Sequence, residues 1–202
     1  MYTLKDAESA WLRGDYARAM HMFYFLAEQG NPAAQYNLGW IYAYGREVER
    51  NDSEAVKWLR RAAEQGHVEA QYELGRMYAW GQCGVWDEEE GARWFRRAAE
   101  QGDMDAQCNL GLMYAYGRGV AQNETEAVKC YRQAAEQGNA TAQCNLGLMY
   151  AYGRGVERND AEAVKWLRMA AERGNDVAKY NLELRYLEPG NNLIRHNSNQ
   201  LH

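Results

Sequence analysis

The sequence predicts an all-α protein, a right-handed α/α solenoid of about five two-helix repeats closed by a C-terminal capping helix. One observation is a period of 36 residues, which is clearest in the glycines Gly30, Gly66, Gly102, Gly138 and Gly174. Another is an unbroken repetition, because the segment AQCNLGLMYAYGRGV occurs from Ala106 and again from Ala142. Composition agrees, since 19 glycines and only 2 prolines indicate helices separated by tight turns. One helix pair cannot bury its own apolar face, so neighbouring pairs are expected to stack.

The first helix of each repeat has recognisable start and stop signals. Its predicted N-cap is an asparagine or aspartate in four repeats: Asn31, Asp103, Asn139 and Asn175. Its predicted end is a glycine that can adopt a left-handed conformation: Gly45, Gly81, Gly117 and Gly153. Between these signals, Ala34, Leu38, Ile41 and Tyr42 lie at helical spacing and predict one apolar stripe.

The second helix is predicted from an asparagine that precedes a glutamate by three residues, as in Asn51 and Glu54. This spacing resembles a capping box, in which each side chain bonds the backbone of the other residue. A stripe of alanines and larger apolar residues follows, and its tryptophans are predicted to lie in the core: Trp58, Trp94 and Trp166. Arg60 and Glu64 lie one turn apart, so we expect a weak surface ion pair there and in later repeats.

Residues 1–188 are predicted to form a single domain of eleven helices. A divergent pair occupies 1–29, and four regular repeats follow it: 30–65, 66–101, 102–137 and 138–173. A lone first helix within 174–188 would cap the stack, and the polar residues 189–202 are predicted to be a disordered tail.

One loop departs from the pattern. Cys83 stands where later repeats have Gly119 and Gly155, and Glu47 holds that place in an earlier repeat. If the position requires a positive φ, these two loops must adopt another turn or carry strain.

The pattern Ala-x₃-Leu-Gly-x₂-Tyr-x₂-Gly-x-Gly-Val, followed by Ala-x₂-Trp-x₃-Ala-Ala-x₂-Gly, is complete from Ala142 to Gly174. It resembles the Sel-like repeat family (the suppressor/enhancer-of-lin-twelve type), a relative of the tetratricopeptide repeat, over roughly residues 30–187. The resemblance implies an adaptor or scaffold that binds proteins, as bacterial members do, with the first helices lining a concave groove. Some secreted relatives carry one disulfide in each repeat, an arrangement that Cys108 and Cys144 do not match. Stacked helices lie about 8–10 Å apart, beyond the reach of a disulfide, so we expect reduced thiols.

Charge and hydropathy exclude several classes of partner. The chain has 23 basic and 28 acidic residues, a formal charge of −5, and no basic block. This composition disfavours nucleic acid and anionic lipid as partners. The sequence has neither an apolar run long enough to cross a membrane nor a recognisable signal peptide, so a cytoplasmic location is expected.

A second stripe on each first helix is the candidate partner-binding site. Its residues lie at i, i+4, i+7 and i+11 of the helices, and the proposed set is Asn37, Trp40, Tyr44, Glu73, Arg76, Trp80, Asn109, Leu112, Tyr116, Asn145, Leu148 and Tyr152. Asparagine amides can bond the backbone of an extended peptide, and aromatic side chains supply apolar contact area. Trp40 and Trp80 are the strongest candidates because later repeats carry other residues there.

The acidic residues near this stripe indicate the charge of its partner, and its asparagines and tyrosines have an alternative structural role. Glu69, Glu73 and Asp105 lie on or near it, so we predict a protein or peptide partner with at least one basic residue. The asparagines could instead brace neighbouring turns, and the tyrosines could pack against the next repeat.

No catalytic, metal or cofactor site is predicted. The three serines lie outside any nucleophile motif, and the four histidines lack metal-ligand spacing. Cys83 is the one unusual thiol, and its nearest histidine in the sequence, His67, is sixteen residues away. The alternative to an adaptor is a self-assembling structural protein whose groove or tail, which contains Leu193 and Ile194, binds another copy. The partner's identity, the pathway and the oligomeric state stay open.

Overall fold

The computed structural model describes residues 2–45 and 48–184, and every structural statement below concerns these residues. They contain eleven α-helices, one 3₁₀ turn at Gln82–Gly84 and no strand, which confirms the predicted all-α repeat fold. Glu47, residues 185–188 of the predicted capping segment, and the predicted tail 189–202 lie outside the described residues.

The chain divides into two compact units, residues 1–101 (unit 1) and 102–202 (unit 2). Unit 1 contains the first six helices: α1 Leu4–Leu12, α2 Tyr16–Glu28, α3 Pro32–Tyr44, α4 Asp52–Glu64, α5 Val68–Trp80 and α6 Glu88–Glu100. Unit 2 contains the other five: α7 Met104–Tyr116, α8 Glu124–Glu136, α9 Ala140–Tyr152, α10 Asp160–Glu172 and α11 Asp176–Leu182. Odd-numbered helices are the first helices of the repeats, and even-numbered helices are the second.

A glycine in the middle of the first helix sets how closely the two helices of a repeat approach. A Cβ atom added to Gly39 would lie 2.5 Å from the Leu59 side chain, and one added to Gly75 would lie 2.5 Å from the Phe95 ring. Gly147 meets Leu167 in the same way, at 2.8 Å. Only a residue without a side chain fits these contacts. The predicted core tryptophans Trp58, Trp94 and Trp166 are buried as expected.

The predicted helix caps are confirmed, with one correction. The Asn51 side chain accepts a hydrogen bond from the Glu54 N–H (3.1 Å), but the return bond of a capping box is not formed. The Asn51 N–H instead donates to the Tyr42 carbonyl (3.0 Å) and closes the loop between the two helices. Glu54 is therefore left to accept the Trp58 indole N–H (2.9 Å).

Buried glutamines connect successive repeats through bonds that the sequence pattern does not predict. The Gln35 amide donates to the Ala27 carbonyl (3.0 Å), and its oxygen accepts from Gln65 (2.7 Å). Gln71 repeats both bonds, with Ala63 and Gln101. Each such glutamine thus joins a first helix to the second helices before and after it.

The ion pair predicted between Arg60 and Glu64 is wrong. The Arg60 guanidinium donates to the Tyr78 hydroxyl of the next first helix and lies 3.4 Å from Glu90. In unit 2, Arg132 donates to Tyr150 in the same way (2.6 Å). These arginines contact the following repeat because a partly buried hydroxyl provides a fixed acceptor there.

The loop that contains Cys83 shows both features that were predicted as alternatives from the sequence, another turn geometry and a strained backbone. Cys83 has a φ of 51° and is the one residue other than glycine with a positive φ among the described residues. Gly155 shows why glycine is usual in this loop, since an added Cβ would lie 2.2 Å from the Glu124 carbonyl oxygen. The Cys83 loop forms the 3₁₀ turn, in which Gly84 adds a second positive φ of 68°.

His67 is an atypical N-cap. It begins α5 without a side-chain capping bond, and its ring stacks on Tyr36 with centroids 4.9 Å apart. Its buried Nδ1 atom lies 3.3 Å from the Glu69 carboxylate but has no hydrogen-bond partner among the described residues. Burial lowers the pKa of His67, and Glu69 opposes that shift.

Replacing His67 with the asparagine used by other repeats should stabilise the protein by about 1 kcal/mol near neutral pH, because a capping bond is gained. The gain should grow below the ordinary histidine pKa of 6.5, since the unfolded wild type then binds a proton that the folded state disfavours. Urea unfolding of His67→Asn at two pH values measures this, with the exposed His21→Asn as control. An equal gain in the free energy of unfolding at both pH values would contradict the lowered pKa of His67.

The glutamine pattern predicts a second stabilising change. Gln143 is fully buried and donates to Ala135 (3.0 Å), but its Oε1 has no partner among the described residues. Gln65 donates to the Gln35 oxygen from thirty residues further along the chain, and the residue at the same distance from Gln143 is Arg173. Arg173→Gln should supply this bond and stabilise unit 2 by about 1 kcal/mol in thermal unfolding. The gain should vanish in a Gln143→Leu background, and a gain that persists there would disprove the explanation.

Candidate peptide-binding surface

The first helices α3 and α5 carry six of the predicted residues, and α1 carries two further residues at equivalent positions. The Asp15 N–H donates to the Ala10 carbonyl (3.0 Å), just as the Asn51 N–H donates to Tyr42. Ala10 is therefore the counterpart of Tyr42, so Glu8 and Leu12 are the counterparts of Trp40 and Tyr44. We call this set the first-helix surface of unit 1: Glu8, Leu12, Asn37, Trp40, Tyr44, Glu73, Arg76 and Trp80.

A fixed 36-residue step does not identify Glu8 and Leu12 as members of the stripe, because the turn between α1 and α2 is shorter than the turn between α3 and α4. Five positions separate Ala10 from Asp15, whereas nine separate Tyr42 from Asn51. Aligning the repeats by the residues on either side of the turn, rather than by the period, would have identified both.

A pocket of about 310 Å³ opens on this surface between α1 and α3. Its lining comes from three helices and is mostly apolar: Glu8, Trp11, Leu12, Phe23, Asn37, Trp40 and Ile41. Phe23 and Ile41 are buried, whereas Leu12 is 85% exposed at the edge. The volume lies at the lower end of the range for small-ligand pockets, about 300–1,000 Å³.

A polar cluster adjoins the pocket. The rings of Trp40 and Tyr44 lie 5.0 Å apart, and the Tyr44 hydroxyl donates to Glu73 of α5 (3.4 Å). Arg76 also donates to the Glu73 carboxylate (3.3 Å). A continuous chain of side-chain contacts therefore runs from the pocket to a charged pair one repeat away.

Glu73 is an unusual carboxylate because it is only 8% exposed. Burial raises its pKa, while the Arg76 charge and the Tyr44 hydrogen bond oppose that shift. The nearby Tyr36 has its pKa raised to about 12, first by burial and then by the negative charges of Glu73 and Glu69. Glu73 and Glu69 thus place negative charge beside Tyr36, and Arg76 offsets part of it.

The predicted asparagines Asn37, Asn109 and Asn145 are all half-buried. Their side chains form no hydrogen bond within residues 2–45 and 48–184, so the alternative in which they brace a turn has no supporting contact there. Asn181 differs, because its amide donates to the Val177 carbonyl of its own helix (2.8 Å).

The other predicted residues vary in exposure. Trp80 is the last residue of α5 and is half-buried. In unit 2, Leu112 and Leu148 are half-buried, while Tyr116 and Tyr152 are exposed at the ends of α7 and α9. The acidic Asp105 already accepts a hydrogen bond from Asn139 (2.7 Å). The stripe in unit 2 thus contains asparagines and tyrosines, but the carboxylate of Asp105 is already bonded to Asn139.

The thiols lack the features of nucleophiles. All four cysteines are free and buried. Burial is the main cause that raises the pKa of Cys83 and Cys144 to about 11, and that of Cys108 to about 12. Since the thiolate is the reactive species, these raised pKa values disfavour the reactive form of Cys83, Cys108 and Cys144 near neutral pH.

The described part of the chain has neither a metal-binding cluster nor a membrane-spanning helix. No group of three or more histidine, cysteine, aspartate or glutamate side chains there is arranged to hold a metal ion. No helix there has both the length and the apolar character needed to cross a membrane.

Comparison with known proteins identifies the repeat. The model of the Sel1 repeat matches five times, at residues 9–31, 32–67, 68–103, 105–139 and 140–175. No curated protein gives a significant match.

Solved structures give the same result. A protective antigen of uropathogenic Escherichia coli strains, which displays an SLR fold, is 39% identical with a TM-score of 0.80, over 83% of this chain and 36% of its own. A Sel1 repeat protein from Oxalobacter formigenes is 40% identical with a TM-score of 0.74, over 83% and 49%. An immunity protein from Pseudomonas aeruginosa is 21% identical with a TM-score of 0.54, over 95% and 75%, and shows the fold alone. The chain spans less than half the length of the first two.

Proposed function

This chain belongs to the Sel1 repeat family, and we propose that it is a cytoplasmic, non-catalytic adaptor that binds an extended protein segment along its first helices. Proteins of this family generally mediate protein–protein interactions and are typically not catalytic. The proposal requires no cofactor. It assigns no role to nucleic acid or membrane.

The observation that carries the proposal is the contact chain on the first-helix surface of unit 1. An apolar pocket, the Trp40 and Tyr44 rings and the Glu73 carboxylate follow one another without interruption. Partner-binding sites combine these features, since aromatic anchors supply apolar area and a few polar groups fix orientation.

The charges favour a partner segment with a basic residue. Glu73 is buried and has one cationic neighbour, Arg76, whose side chain is itself 30% exposed. Glu69 adds a second, exposed carboxylate one turn earlier on α5. A lysine or arginine placed here would gain from both carboxylates.

Replacing Trp40 or Trp80 with alanine should weaken binding to a partner captured by the wild-type chain, by about thirtyfold for a well-packed aromatic anchor. Titration calorimetry with the purified partner measures the change. Trp86→Ala is the matched control, because Trp86 is 76% exposed in a loop outside the stripe and its loss should leave affinity unchanged. Unchanged affinity in both Trp40 and Trp80 variants would reject the proposal.

Self-assembly is a second candidate, and the exposed face of α11 favours it. Val177 and Tyr180 share one side of this last described helix and are 58% and 62% exposed, and Leu184, just beyond its end, is 53% exposed. If this face binds another copy, light scattering should show a mass that rises with concentration and falls in Tyr180→Ser. Trp86→Ala serves as control, and a chain ending at Glu188 tests the tail. A mass that stays monomeric at every concentration would exclude self-assembly.

A further inference from the structure

We infer that the pocket between α1 and α3 receives one large apolar side chain of the partner, and that a lysine or arginine next to it pairs with Glu8. This inference rests on the proposed function and specifies the chemistry of the bound segment.

The pocket walls are suited to an apolar side chain. Trp11 is held in place by edge-on contact with Tyr16 (centroids 4.8 Å apart) and by Phe23 (6.5 Å). Trp40 on the facing wall is held by Tyr44. Because these rings already have their packing partners, little ordering would be needed on binding, and preorganised sites bind more tightly.

Glu8 gives the pocket its charge. It is the one charged residue in the lining, and its side chain is exposed. No ion pair or hydrogen bond involves its carboxylate among the described residues. A cation in the bound segment would therefore meet a carboxylate that has no competing partner there.

The distribution of charge around α1 favours a cationic partner group at the pocket. A separate depression of about 340 Å³ lies along another face of this helix, with Arg13 and Arg18 in its lining. Asp6 in that depression is committed to the Thr3 cap, where its carboxylate accepts from the Thr3 N–H (3.0 Å). Arg13 and Arg18 thus line this other depression, and neither lines the apolar pocket, whose one charged lining residue is Glu8.

Asn37 supplies the remaining contact. It lies in the pocket lining, and its amide has no hydrogen-bond partner among the described residues. An amide offers both a donor and an acceptor, which match the carbonyl and N–H of an extended backbone. The site therefore recognises three features of the partner: an apolar side chain in the pocket, the backbone beside it at Asn37, and a cation at Glu8.

Selection of a random heptapeptide display library on the full chain tests this inference. The enriched peptides should share a leucine, methionine or aromatic residue with a lysine or arginine within two positions. Affinities of a synthetic consensus peptide are then measured by fluorescence anisotropy. Alanine at the apolar position should cost about thirtyfold in affinity.

The protein variants locate the contacts. Leu12→Ser should weaken binding, and its high exposure makes it safe for folding. Glu8→Gln should weaken binding by about fivefold, whereas a peptide with glutamine in place of its basic residue should respond little to that change. Glu64→Gln, the same change at an exposed position on α4, is the control.

The outcomes separate this inference from the proposed function. Selected peptides that respond to Trp40→Ala and Trp80→Ala but not to Leu12→Ser or Glu8→Gln would overturn the pocket assignment and leave the adaptor function standing. Peptides that respond to none of these four changes would overturn both. Enrichment of peptides without an apolar anchor, or no enrichment above background, would also overturn the inference.

Discussion

The close approach of the two helices in each repeat is the constraint on which the candidate site depends. Gly39 and Gly75 lie so near the Leu59 and Phe95 side chains that an added Cβ would be 2.5 Å away. This contact places one face of the first helix against the second helix. The face that carries Trp40 and Tyr44 is left to meet α1, α5 and solvent, and it is on that face that the pocket forms.

Hydrogen bonds between repeats then fix how neighbouring first helices are spaced. Gln35 and Gln71 each bond the second helix before them and the second helix after them. Buried amides that are fully satisfied favour one arrangement over others, because a shifted helix would leave them unpaired. The resulting spacing allows the Tyr44 hydroxyl on α3 to reach Glu73 on α5, which links the pocket to the charged pair.

Much of the fold follows from the sequence, because caps and apolar stripes are local signals. Asn31 and Gly45 cap α3 as predicted, and Trp58 is buried as predicted. The glutamine bonds were not predictable in the same way, since Gln35 and Gln65 are thirty residues apart and look like surface residues in the sequence. The pocket was also missed, because the shortened turn after α1 hides the relation of Glu8 and Leu12 to the stripe.

The seven tryptophans provide the most direct test of the central claim, that partners bind the first helices. Trp11, Trp40 and Trp80 lie on first helices, Trp58, Trp94 and Trp166 on second helices, and Trp86 in a loop. Each indole N–H gives a separate signal in a nitrogen-15 NMR spectrum, and single substitutions assign them. Titration with a bound peptide should shift the signals of Trp11, Trp40 and Trp80 and leave the others in place. Shifts confined to Trp58, Trp94, Trp166 or Trp86 would contradict the claim.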